Sequence, residues 1–114
     1  MNYGKDMKEI NQRFFATLDK LQKGDLNSSI ADFDKLLSDM LTMNPPLLDN
    51  YAEVCNALTF YMEQNGQWEK AFEYAEKGYK LIQDKNLNSP FYQTNLLVKM
   101  CGQYNYYGQY DKVL

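Results

Sequence analysis

The sequence predicts an all-α protein made of antiparallel helical hairpins stacked on one another, and three observations lead there. Apolar residues recur at three- and four-residue spacing through almost the whole chain, the period that gathers them on one face of a helix. Gly24, Gly66 and Gly108 sit in similar surroundings 42 residues apart, and a fixed period of this size marks a stacked repeat array. Asn44-Pro45-Pro46 and the polar stretch 85–90 fall between hairpins, where proline forbids a helix to continue.

The first helix, about 6–22, carries Met7, Ile10, Phe14, Phe15, Leu18 and Leu21. Residues before it form a loose end, and Lys23-Gly24-Asp25 turns the chain. The second, about 26–43, carries Leu26, Ile30, Phe33, Leu36, Leu37, Met40 and Leu41, with Asp25 placed to cap it. Pro46 opens the third helix, where a missing amide does no harm. That helix runs to about 64 with Cys55, Leu58 and Met62 on one face. After Asn65-Gly66, the fourth helix (67–84) presents Trp68, Ala71, Phe72, Ala75 and Tyr79. Gly78 inside it costs about 1 kcal/mol against Ala, which a close helix crossing would explain. Pro90 opens a fifth helix to about 106, and Gly108 turns into a sixth that has barely begun at Leu114. The expectation is one domain, 1–114, with hairpins at 6–43, 46–84 and 90–114, the last incomplete.

Around each glycine the surroundings repeat: Ala16-Thr17, Leu58-Thr59 and Met100-Cys101 precede, and Leu26, Trp68 and Tyr110 follow. This pattern resembles the tetratricopeptide repeat family. The copy ending in Leu97, Met100, Cys101, Tyr104, Gly108 and Tyr110 and the copy with Leu58, Thr59, Gly66, Trp68, Ala71 and Ala75 match it well. The first copy is divergent, with Arg13 and Lys20 where apolar residues belong. The resemblance implies a right-handed superhelix that holds a peptide or partner in a concave groove. The period exceeds the family's usual ~34 residues and is similar to the long repeats of kinesin light chains and of peptide-sensing domains of bacterial regulators.

Composition narrows the functional classes. Net charge is −3 with acids and bases interleaved, and no basic run suits a phosphate backbone, so direct nucleic-acid binding is not expected. No apolar run reaches membrane-spanning length, and residues 1–9 lack a signal-peptide core. Cys55 and Cys101 have no metal-ligand spacing and read as reduced, buried thiols in preference to a disulfide, which points to the cytoplasm. Histidine is absent, removing the commonest general base and zinc ligand. Ser28 and Ser29 at a helix start read as capping residues, and Asp32, Asp34 and Asp39 as solvated charges. Neither an enzyme, a cofactor nor a metal site is expected.

A protein or peptide is the expected partner. By the family resemblance, the first helix of each hairpin lines the groove, which projects Asn11, Phe14, Phe15 and Leu18 inward, then Glu53, Asn56, Ala57 and Phe60, then Asn95, Val98, Lys99 and Asn105. Asn side chains donate to and accept from an extended backbone, while Phe and Val form pockets for side chains. The short sixth helix would leave Leu96, Leu97, Met100, Tyr104 and Tyr107 uncovered, a patch of the kind that marks an interface. The chain then continues in a longer repeat protein, pairs with a second copy, or ends on helix five as a cap with the tail folded back. Two other readings stand beside peptide binding: a peptide-sensing domain of a bacterial transcriptional regulator, and a structural homo-oligomerisation module.

Overall fold

The computed structural model describes the backbone of residues 3–43 and 46–106 and the side chains of 6–43 and 46–101. Five helices follow one another: α1 (Tyr3–Gln22), α2 (Leu26–Thr42), α3 (Leu48–Gln64), α4 (Trp68–Asp84) and α5 (Pro90–Tyr106). The described residues contain no strand. The expected sixth helix and Tyr107 lie outside them. Two compact units are present, Met1–Leu48 and Asp49–Leu114.

The repeat is visible in the backbone. Gly24 and Gly66 both take positive φ (91° and 70°), a region that favours glycine because it has no Cβ. Each glycine amide donates three residues back, to Leu21 and Glu63, at 3.0 Å. Asp25 and Gln67 then donate to Lys20 and Met62, and Ser29 and Ala71 to Asp25 and Gln67. Every partner in the second turn stands 42 residues after its counterpart in the first. The buried positions repeat likewise: Ile10 and Ala52, Thr17 and Thr59, Ser29 and Ala71, Phe33 and Ala75, Met40 and Ile82.

Four local expectations are corrected. Asp25 occupies the N-cap position, but its side chain makes no capping bond; its carbonyl instead accepts from both the amide and the hydroxyl of Ser29. Ser29 is therefore buried inside the first turn, and Ser28 accepts from Lys20 rather than capping. Pro46 does not open α3, which starts at Leu48. Leu47 is buried and its amide donates to Met40 at 3.1 Å, so that backbone closes the end of α2 before helical geometry resumes. At the other end, α1 begins three residues earlier than expected, at Tyr3.

The first unit packs Ile10, Leu18 and Leu21 of α1 with Phe33, Leu36, Leu37 and Met40 of α2. In the second, α3 and α4 form a hairpin and α5 packs on it. Ala71, Ala75 and Gly78 give α4 a shallow face. A Cβ at Gly78 would lie 2.8 Å from Cβ of Cys55 on α3 and 2.9 Å from Cδ1 of Leu96 on α5. Leu96 is therefore fully buried, not part of an uncovered stripe.

Gly78→Ala follows from this contact. The change gains about 1 kcal/mol of helix propensity, but Cβ of Cys55 is fixed to its backbone and cannot rotate away. Overpacking of this kind costs about 1–3 kcal/mol, so a net loss of up to about 2 kcal/mol is expected. Urea denaturation measures it; a higher midpoint in the variant would mean that α3 and α4 do not cross this closely.

Candidate peptide-binding face and charged cleft

In the second unit side chains of α5 reach α3 at two points. Lys99 donates to Glu63 at 3.4 Å, both side chains about a quarter exposed. One end earlier, Tyr92 lies close enough to Glu53 that burial first, and that carboxylate second, push its hydroxyl pKa up. Along α3 the helical period places Glu53, Asn56, Phe60 and Glu63 on a common face. Phe60 is 49% exposed and meets Tyr61 edge to face, with centroids 5.4 Å apart. Asn56 is half-buried, and its Oδ1 is shielded from solvent with no hydrogen-bond donor. On α5, Asn95 is half-buried and Val98 is 62% exposed.

The expected groove residues divide by unit. Asn56, Phe60, Asn95 and Lys99 belong to one compact unit. Lys99 is committed to Glu63 rather than being an unpaired cation for a ligand carboxylate. Asn105 and Tyr104 fall on the last turns of α5, with side chains outside the described residues. Asn11, Phe14 and Phe15 belong to the first unit. There Asn11 and Phe15 are exposed, while Phe14 is half-buried with its ring 5.7 Å from Phe33. Leu18 is buried in the core and offers no groove surface. Of the expected self-association residues, Leu97 is 43% exposed and Met100 half-buried. Glu63 and Tyr92 were not anticipated, because neither repeat spacing nor polarity marks a residue that pairs across to another helix.

The first unit holds a different feature, an open cleft of about 460 Å³ lined by Glu9, Arg13, Ala16, Thr17, Asp32, Lys35 and Asp39. Arg13 donates to Asp39 at 2.9 Å, and Lys20 donates to Asp32 and Ser28. Lys35 approaches Asp39 at 3.4 Å. Asp32 and Asp39 are thus cross-helix partners, not merely solvated charges. The signal was in the sequence: the two cations and the two acids are each seven residues apart, and a hairpin folded at Gly24 brings inner to inner and outer to outer. Every charge here that the hairpin brings into contact is neutralised by a neighbour, so these pairs read as structure.

Cys55 and Cys101 are free thiols, Cys55 buried and Cys101 only half-buried. Burial pushes the Cys55 thiol far up, so it stays protonated. Among the described residues no Cys, Asp and Glu cluster could hold a metal ion, and no helix is long and apolar enough to cross a membrane. No family model, curated protein or solved structure matches the chain.

The charged pairs carry a pH signature. The Arg13 guanidinium holds the Asp39 carboxyl below its ordinary 3.8. A depressed folded-state pKa contributes stability above 3.8 that is lost as pH falls through the folded value. The Lys20 ammonium, raised above 10.5 chiefly by its bond to Asp32, contributes below 10.5 and loses that contribution as pH rises further. Asp39→Asn should therefore lower stability at pH 7 by roughly 0.2–1 kcal/mol and flatten the loss between pH 4 and pH 2. Urea titrations at both ends of that range read the difference; identical acid limbs in variant and wild type would mean the pair contributes nothing.

Proposed function

We propose that this chain is a non-catalytic, tetratricopeptide-like scaffold that holds an extended peptide segment of a partner protein along the α3/α5 face. The observation that carries this reading is the orphaned Oδ1 of Asn56. A buried acceptor without a donor is destabilising by about 1–3 kcal/mol; in the proposed complex the half-buried amide turns outward and accepts from a backbone N–H of the bound strand, which relieves that penalty. Exposed Phe60 and half-buried Asn95 lie on the same two helices. They supply apolar contacts and a second amide of the kind that grips a main chain. The 42-residue repeat in the turn hydrogen bonds supports a stacked-hairpin architecture, and reduced thiols suit a cytoplasmic protein.

The test separates folding from binding. Peptides of about a dozen residues, enough to cross two helices, are selected from a random display library on the full chain. Asn56→Leu is expected to keep or raise the urea midpoint, because it removes an unsatisfied polar atom. It should weaken the selected peptides about tenfold, corresponding to roughly 1.4 kcal/mol. Phe60→Ala should weaken them too. Peptides that bind both variants as tightly as wild type, or a library that yields none, would overturn the reading.

A further inference from the structure

We propose that the outward face of α5 is a self-association surface on which a second copy of this chain docks about a two-fold axis, helix against helix. Phe91, Thr94, Leu97 and Val98 fall on one side of α5 by the helical period. Phe91 is 67% exposed, Val98 62% and Leu97 43%, and Thr94 is exposed between them. The Phe91 ring is held outward by edge-to-face contact with Tyr92, centroids 5.2 Å apart. Leu96, on the opposite side of the helix, is already spent on α3 and α4.

Charge selects the occupant. The 17 residues of α5 contain one charged side chain, Lys99, and it is paired with Glu63. The other four helices all present exposed charges, among them Lys8, Asp19, Lys35, Glu53, Glu73 and Lys80. Laying α5 of one copy on any of those surfaces strips water from ions without replacing it. Laying α5 on α5 strips none, and the net charge of −3 stays away from the contact. A patch that is its own best complement forms an isologous pair that closes at two, not an open chain. A helix about 25 Å long covers much less than the ~800 Å² per partner of a standard interface. The dissociation constant is accordingly expected at about 10–500 µM, not nanomolar.

Sedimentation equilibrium of the full chain from about 10 µM to about 1 mM spans that range. The expected result is a mass rising towards twice the monomer, with Val98→Glu and Phe91→Glu each weakening association roughly tenfold or more at unchanged helical circular dichroism. In a Cys101→Ser background, Thr94→Cys should form an intermolecular disulfide on mild oxidation, because the centre of the stripe meets itself across a two-fold axis. That cross-link also serves if either glutamate variant fails to fold. A monomer at every concentration overturns the proposal, as does association indifferent to both glutamate variants. A dimer that appears only after residues 107–114 are removed overturns it too, since the occupant is then the chain's own C-terminal segment.

Discussion

The second unit depends on one close contact, the place where α3, α4 and α5 meet at Gly78. A side chain there would collide with Cys55 and Leu96, so the absence of a single carbon lets α4 lie nearly backbone to backbone on α3. Ala75 and Ala71 extend the shallow strip one and two turns earlier. Dispersion falls steeply with separation, so a gap of even half an ångström here forfeits a large part of the contact energy. Leu96 seals the junction, and its neighbours inherit their positions from it. Tyr92, one turn before, comes beside Glu53, and Lys99, one turn after, reaches Glu63. The face proposed to hold a peptide is thus set by a core contact on the far side of the same helix.

The two hairpins share a backbone plan and differ in chemistry. Where α3 and α4 bury Cys55, Met62 and Tyr74, the equivalent positions of the first unit are Arg13, Lys20 and Asp32. Salt bridges this exposed add little stability each. Their value lies in register: Arg13 finds Asp39 and Lys20 finds Asp32 only when α1 and α2 are aligned about Gly24, and a slip of one helical turn would set both cations beside the wrong residues.

Much of the fold was legible because periodicity is a local property. The five helices, the glycine turns and the special status of Gly78 all follow from spacing along the chain. Helix starts were harder, since they turn on which backbone amide finds which carbonyl; Leu47 bonding to Met40 displaced α3 from Pro46. Projection onto a helix wheel placed Asn56, Phe60, Asn95 and Lys99 on neighbouring helices of one unit. It misjudged Leu18, which is core, and gave no sign of the Lys99–Glu63 pair, because a wheel shows direction and not what stands opposite. The uncovered stripe was shifted for the same reason: Leu96 was counted in it, whereas the exposed residues are Phe91, Leu97 and Val98.

Asn56 is the residue for which folding gives the least account. Its repeat equivalents are Phe14 and Val98, both apolar, and the Phe14 ring lies 5.7 Å from that of Phe33. The backbone plan therefore accepts an apolar side chain at this position, and one of similar volume would leave no acceptor unsatisfied. An amide there, with its oxygen sealed from water and unpartnered, makes the free protein less stable than the simplest alternative. Polar groups that weaken a fold are characteristic of sites that must meet something else. On the proposed peptide-binding reading, a partner of Asn56 brings a donor, meets an amide that has turned outward from a half-buried helix face, and tolerates Phe60 one turn away. A main-chain N–H flanked by an apolar side chain satisfies all three, whereas a carboxylate ligand has no proton to give.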